Sequence, residues 1–479
     1  MRIKNNVDFS KEIKENMLNL HRNGIYLELD DDIYSNFKLY TDVKQRLEPY
    51  NEFINDEQLK NLDEFINNFK NKMADEIRLN KNLKIVFGGQ SQSGISSFLN
   101  ALIYGKNHIF DNFKHNTNLV PYKICYGSVN KIEIEFYTKE DWRLILKKNE
   151  KNLREDNFDE VVLRNIYKKA VYLEVENYLG RKITVKRDCT DEEFINRLDD
   201  YISCNGDYAA MVKNVTIYTD NEELKGIEIL ELLGTKDPIK DRAKETDDFI
   251  SNSDILFFFS CAGKFMDNGD INYLKENILN KGAKNIVFVG SKFDDVLLEE
   301  AGNFKGNLDL TVDMTFNKLK KQAIKSLNKL DINDMRYKIY EFENSAKKIE
   351  FVSTISHDIA NNHYIMSELG KEIFRSLNNS FKGMHFNRSF FKKLSNVDRI
   401  KREYLIKGKE EKTKRLKRKC ENLLKNSDIY FKNSLKDIKM DCISKMDFCE
   451  SQKVIKKDEF ERNYKNIVEI VDKTIQKLV

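Results

Sequence analysis

Between Lys84 and Gly105 the chain reads KIVFGGQSQSGISSFLNALIYG, and few folds accommodate such a segment. Ile85–Phe87 are a short apolar strand, Gly89 and Gly94 stand at G-x-x-x-x-G spacing, and Ser97–Leu102 open a helix with Phe98, Leu99 and Leu102 on one side. A strand, a glycine turn and a helix start of this kind aim successive backbone N–H groups at an anion, as in the phosphate-binding loop G-x-x-x-x-G-K-[ST]. There the lysine neutralises the outer phosphates and the next hydroxyl ligates Mg²⁺. Gly89, Gln90, Ser91, Gln92, Ser93, Gly94, Ser96 and Ser97 are the candidate nucleotide-binding residues of this loop, with Ser96 the candidate Mg²⁺ ligand. The lysine position holds Ile95, so the cradle lacks its positive charge. Taken alone, the segment also reads as an ordinary glycine-containing strand–helix turn.

The chain has 479 residues, more than one ordinary core, so two structural regions are expected. With 33% charged residues, three prolines and a mean hydropathy of −0.62, long helices are favoured over a loop-rich β architecture. A net charge of +4 is too small at this length to argue for a nucleic-acid partner. The seven cysteines are scattered, with neither C-x-x-C nor zinc spacing, as expected of reduced thiols in a cytoplasmic protein. The polar N-terminus, MRIKNNVDFSKEIKEN, is unlike a signal peptide, and the most apolar run, Ile255–Cys261, is far shorter than the roughly 20 residues of a membrane span. Contact with a membrane would therefore be peripheral.

Three regions follow from periodicity. Residues 1–80 are helical: Phe53, Ile54, Leu59, Leu62, Phe65, Ile66, Phe69 and Met73 recur at three- and four-residue steps. From 81 to about 365 apolar strands alternate with helices, at Ile85–Phe87, Ile132–Phe136, Val215–Tyr218, Ile227–Leu230, Ile255–Phe259, Ile286–Val289 and Ile349–Val352. That alternation predicts an α/β domain, a mainly parallel or mixed sheet with helices on both faces. A polar, mostly helical insertion is expected at about 138–211, containing the only tryptophan, Trp142. Residues 366–479 are again helical and lysine-rich, and the two ends can pair into one bundle.

Further candidate elements follow the glycine loop in chain order. HNTNLVPYKICYG (His115–Gly127) lies where a GTPase places a switch threonine. GIEILELLG (Gly226–Gly234) has the layout of D-x-x-G, in which an aspartate holds a Mg²⁺-bound water and the glycine amide senses the γ-phosphate. Ser291-Lys292-Phe293-Asp294 is close to [NT]-K-x-D, whose carboxylate accepts two N–H bonds from guanine while the lysine stem lies along the base. FVSTIS (Phe351–Ser356) is placed to close over the base through Ser353. All sit at strand C-terminal ends, where open α/β sheets bind ligands.

On these residues the chain resembles the bacterial dynamin-like proteins, over roughly residues 80–360. GGQSQSGISSFLNALIYG resembles their phosphate loop and first helix, LKGIEILELLG their "LKG…DTPG" strand and turn, and TNLVPYKICYG their switch region ending in Tyr-Gly. GTKDPIKDRAKETDDFISNSDILFFFS is similar to the stretch after the third motif, and GSKFDD suggests the branch associated with enterotoxin secretion. The resemblance implies an α/β P-loop GTPase domain with an α-helical neck or trunk bundle from both chain ends. It also implies GTP or GDP and Mg²⁺ as cofactors, a homo- or hetero-oligomer with another dynamin-like protein, and peripheral membrane contact.

The departures cluster on the phosphate side. Carried over from the family, the lysine falls on Ile95, the switch threonine on Asn118 with Thr117 one place early, and the third-motif aspartate on Glu231, followed by Leu232-Leu233 and Gly234. Lys292 and Asp294 are kept on the base side. Phosphoryl transfer rests on charge compensation and positioning, and an isoleucine compensates nothing. The expectation is a hydrolysis-poor structural or regulatory partner of an active dynamin-like paralogue. Two alternatives stand beside it. One is an active Mg²⁺-dependent GTPase working mechanochemically at membranes, with Lys236, Lys240, Arg242 or a partner supplying the cation. The other is a scaffold without nucleotide, its pocket filled by Ile95.

The basic run Lys401–Lys419 could meet anionic headgroups, at about 1 kcal/mol per basic residue near such a surface, but Glu403, Glu410 and Glu411 favour a solvated helix face. Phe390-Phe391 fit an apolar stripe, and His108 and His115 read as loop histidines.

Overall fold

The computed structural model describes residues 30–104, 120–149, 175–186, 191–202, 206–232, 240–283, 285–328, 330, 348–362, 366–382, 384, 386–451 and 457–478. They divide into two compact units, one within residues 83–408 and one of residues 30–82 with the described residues from 409 to 478.

The first unit is built on a sheet of nine strands among the described residues: β1 Leu83–Gly89, β2 Tyr122–Tyr126, β3 Lys131–Phe136, β4 Lys182–Lys186, β5 Val212–Thr219, β6 Ile227–Glu231, β7 Ile255–Cys261, β8 Ile286–Ser291 and β9 Ile349–Phe351. Their order is β4-β3-β5-β2-β6-β1-β7-β8-β9. From β6 to β9 all neighbours are parallel. β2 runs antiparallel to β6 and parallel to β5, and β3 is antiparallel to both β5 and β4.

The central strands are apolar at consecutive positions because both faces are covered. Ile85 and Phe87 of β1 join one apolar cluster with Phe257 and Phe259 of β7, while Val86, Leu256 and Phe258 join another. Successive strand residues point to opposite faces, so a strand buried on both has no polar alternation.

All seven expected strands are present. Two more were not expected as strands. β2 arises in the segment read as a switch, and β4 lies inside the stretch read as a mostly helical insertion, beside the helices Lys139–Asn149 and Asp191–Ile202. Among the described residues β4 pairs only with β3, and it alternates exposed and half-buried residues, with lysines at both ends. Such an edge strand carries little apolar signal.

The expected boundary at 365/366 is corrected to 408/409. Helices Glu368–Ser380, Arg388–Ser395 and Val397–Ile400 belong to the sheet unit. The cause is burial: Leu394 packs in one sheet-facing cluster, Val397, Ile400 and Leu405 in the other, and Phe386 and Phe391 join Ile359 and Leu377. Phe391 is fully buried and Phe390 half-buried, as an apolar stripe requires.

The second unit is helical. Asp30–Leu47, Asp56–Asn80, Lys457–Lys477 and the greater part of Lys407–Ser451 contribute to it. Its cluster draws on both chain ends, with Phe37, Tyr40, Leu62 and Phe69 from the first and Leu416, Phe431, Leu435 and Ile467 from the last. Asn55 caps Asp56–Asn80 by accepting the Glu57 N–H at 2.9 Å. Across the bundle, Asn36 Nδ2 donates to Asp428 at 3.1 Å and Tyr40 Oη to the same carboxylate at 2.5 Å.

Candidate functional site

The glycine loop is shaped by close approach. β1 ends at Gly89, where a Cβ would fall 2.3 Å from the Phe259 carbonyl oxygen of the neighbouring β7. Any side chain there would push the two central strands apart. The chain then turns tightly: Ser93 N–H donates to Gln90 O at 3.2 Å, and Gln92 and Gly94 have positive φ, 64° and 89°. Gly94 caps the short helix Ile95–Leu99, with Phe98 N–H donating to its carbonyl at 3.0 Å, before a π turn at Asn100–Tyr104.

Two side chains, those of Asp270 and Ser291, pin this loop. Gln90 Nε2 donates to Asp270 Oδ1 at 2.9 Å, and Asp270 Oδ2 accepts the Ser260 hydroxyl at 2.6 Å. Burial pushes the Asp270 carboxyl above its ordinary pKa, against the Ser260 and Gln90 hydrogen bonds that favour the charged form. From the other side, Ser291 Oγ donates to Ser93 O at 2.6 Å. The end of β8 therefore fastens the glycine loop. Ser91 and Gln92 are exposed, and Ser97 is half-buried. Ser93 is buried with no hydrogen-bond partner for its hydroxyl, the kind of group that a bound anion or water satisfies.

Ile95 is 7% exposed and sits in the apolar cluster of Phe87, Phe98, Leu99 and Phe259. Beside it, Glu231 ends β6 at 8% exposure. Its Oε1 accepts the Ser96 hydroxyl at 3.2 Å, and its Oε2 accepts the phenol of Tyr122, the residue opposite it in the β2–β6 register. Desolvation pushes the Glu231 carboxyl up to about 7 despite both hydrogen bonds. No charged partner among the described residues contributes to that shift. For the hydrated Mg²⁺ that the resemblance implies, this donor set is a poor fit: one hydroxyl remains, and the carboxyl meets protein donors at both oxygens.

On the base side, β8 ends at Ser291 and Lys292 takes a left-handed conformation, φ 55°, at the start of helix Phe293–Glu300. Phe293 N–H donates to Val352 O at 3.1 Å and Val352 N–H to Gly290 O at 2.9 Å, which fixes the strand-end serine loop against the β8 loop. Ser353 caps helix Thr354–Asn361, accepting the Ser356 N–H at 3.0 Å. Asp294 is 2% exposed and hydrogen-bonded to Ser353, and burial raises its pKa above the usual aspartate range. Lys292 is exposed.

The structure thus joins the loop residues, Glu231, Ser291–Asp294 and Ser353 by direct contact. Thr117, Asn118, Gly234 and Lys236 lie outside the described residues, as do His108, His115 and the side chains of Lys240 and Arg242. Tyr122, Ser260 and Asp270 were not singled out from sequence. Their roles depend on strand pairing and on a helix packed under the loop, neither of which leaves a local pattern.

Much of the basic run 401–419 is neutralised. Lys401 pairs with Glu223, Lys407 with Glu403 at 2.6 Å, Lys414 with Glu411 at 3.1 Å and Lys419 with Glu76 at 2.9 Å. Among the described residues no helix is long and apolar enough to cross a membrane, and no group of three His, Cys, Asp or Glu side chains could hold a metal.

A GTPase-type α/β domain, joined in one chain to a helical bundle, is the class that this sheet and loop arrangement defines. Within that class the chain resembles the bacterial dynamin-like proteins. It is 24% identical over 230 residues to Dynamin-like protein 1 of Campylobacter jejuni, a match covering 47% of this chain and 30% of that protein. Two solved structures of an oligomerised bacterial dynamin pair, described as a mechanism for long-range sensing and tethering of membranes, are 19% identical. They cover 88% of this chain and 57% of theirs at a TM-score of 0.41, too loose a superposition to carry an argument. No family model matches the chain.

Proposed function

We propose that this chain is a dynamin-like GTPase-fold protein that holds guanine nucleotide but hydrolyses it poorly, and that it serves as a structural or regulatory partner of an active dynamin-like chain. The observation that carries this is the burial of Ile95 in an apolar cluster where a phosphate-neutralising lysine would stand. Losing one preorganised charge contact to a transition state costs about 3–4 kcal/mol, or 10²–10³ in rate. Glu231 compounds the loss, since its carboxyl is desolvated and engaged by Ser96 and Tyr122.

Nucleotide uptake is supported by Lys292 and Asp294 at the end of β8, by Ser353 above them, and by the unpartnered Ser93 hydroxyl within the loop. On this reading the protein is cytoplasmic, oligomerises with a dynamin-like partner and touches membranes peripherally. The test is calorimetric titration with GTP and GDP alongside a turnover assay of the same preparation. Binding that Asp294→Ala abolishes, with turnover near background, is expected; brisk turnover by the isolated chain overturns the reading.

A second reading is favoured by one observation. Asp294 is buried and bonded to Ser353, so a guanine base must displace that cover to reach it. If neither nucleotide binds, the chain is a scaffold and the search turns to protein partners.

A further inference from the structure

We propose that the Tyr122 hydroxyl takes the place of a metal-bound water on Glu231, so that this chain takes up guanine nucleotide without a divalent cation; the inference rests on the nucleotide reading above. Mg²⁺ demands oxygen ligands in near-octahedral geometry at about 2.0–2.1 Å and usually keeps several waters. In the layout of D-x-x-G the carboxylate reaches the metal through one of those waters.

Here the acid is a glutamate, one methylene longer, and its Oε2 meets a phenol instead. The phenol is not a mobile substitute. Tyr122 lies directly across the β2–β6 ladder from Glu231 and is 1% exposed, in the same apolar cluster as Ile124 and Ile229. Strand register therefore holds the donor where it is. The remaining Oε1 accepts the Ser96 hydroxyl, the group expected to ligate the metal directly. An ordered donor of this kind is displaced at a loss unless its replacement reproduces the hydrogen bond. Ile95 removes the neighbouring positive charge as well, so the loop has no described cation or free carboxylate edge with which to organise a hydrated metal. Tyr122 is thus a positioning residue that closes the cation site.

The experiment compares a fluorescent GDP analogue binding to the full chain with Mg²⁺ and with EDTA, and follows Mn²⁺ uptake by electron paramagnetic resonance. Wild type should show dissociation constants within about twofold in the two conditions, and should leave the resonance of free Mn²⁺ undiminished. Tyr122→Phe, which frees Oε2, should bind Mn²⁺ and acquire a Mg²⁺ dependence of about tenfold. Glu231→Gln keeps the side chain's length and removes the carboxylate; combined with Tyr122→Phe, it should abolish the Mn²⁺ uptake that Tyr122→Phe alone gains. Tightening of wild type by Mg²⁺ of about tenfold or more, or Mn²⁺ binding by wild type that Glu231→Gln abolishes, overturns the proposal. So does a folded Tyr122→Phe indistinguishable from wild type in Mn²⁺ uptake. If wild type binds no guanine nucleotide, the nucleotide reading fails and uptake without a cation fails with it, while the Mn²⁺ comparison still decides whether Tyr122 closes the site.

Discussion

The two halves of the candidate site have been treated differently by the same fold. On the proposed base side, Lys292, Asp294 and Ser353 are residue types suited to guanine, and their loops are tied together by backbone bonds through Val352. On the phosphate side, the backbone turn is retained with its left-handed Gly94, but the side chains that would manage charge are replaced by Ile95 and by a buried Glu231. A binding loop's shape and its electrostatics can therefore separate. The turn at Gly89–Gly94 also serves the core, since it lets β1 and β7 pack and starts a helix that buries Phe98 and Leu99. Charge compensation serves only the ligand.

That contrast can be broken at its strongest point first. Asp294→Ala should weaken guanine-nucleotide binding by about 100-fold or more, since hydrogen bonds to a charged group are worth about 1.5–3 kcal/mol each. Calorimetry with GDP reads this directly, and an unchanged affinity would mean the base side is as inert as the phosphate side.

Ile95→Lys tests the other half. Moving an ammonium into an apolar cluster should lower unfolding stability by about 2 kcal/mol, read by denaturant titration. It should leave GTP turnover near background, because Glu231 and Tyr122 stay as they are. A large gain in turnover would show that one charge was all that was missing.

The pH dependence of binding sharpens the comparison further. Burial raises the Asp294 pKa, and only the ionised carboxylate accepts both guanine N–H bonds. Affinity should fall about tenfold per pH unit once pH drops below that raised value, at a higher pH than an ordinary aspartate would require. Stability carries the opposite sign. A carboxyl whose folded pKa is raised stabilises the fold below its unfolded pKa of about 3.9, and that contribution is lost as pH rises through the folded value. Asp294→Asn should flatten both profiles, as followed by nucleotide titration and thermal melts across that window.

The smallest effect is expected from Ser291→Ala. It deletes the hydrogen bond to Ser93 O that links the two halves, at a cost of about 1 kcal/mol in unfolding stability. Faster amide exchange at Ser93 and Gly94 would locate the loosening in the loop.

Residues 85–87, 255–259 and 286–289 were legible as strands because consecutive apolar residues bounded by turns have few other uses. The candidate site was legible in part, through the spacing of Gly89 and Gly94 and through Lys292 and Asp294. β4 was not, because an edge strand with Ile183 and Val185 between lysines carries little apolar signal. The helices from Glu368 to Ile400 were assigned to the wrong unit because an amphipathic stripe shows that a face is buried without showing against what.

By itself, the chain's sequence determined the strand–turn–helix of the loop, the alternating α/β texture and the loss of lysine at Ile95, since these depend on local spacing and residue type. Only the tertiary structure decided that Gly89 is required by the Phe259 carbonyl, that Ser291 fastens Ser93, and that Tyr122 meets Glu231. Each of those depends on which strands are neighbours and in what register. Pairing between distant segments is set by global packing, and no short window of sequence records it.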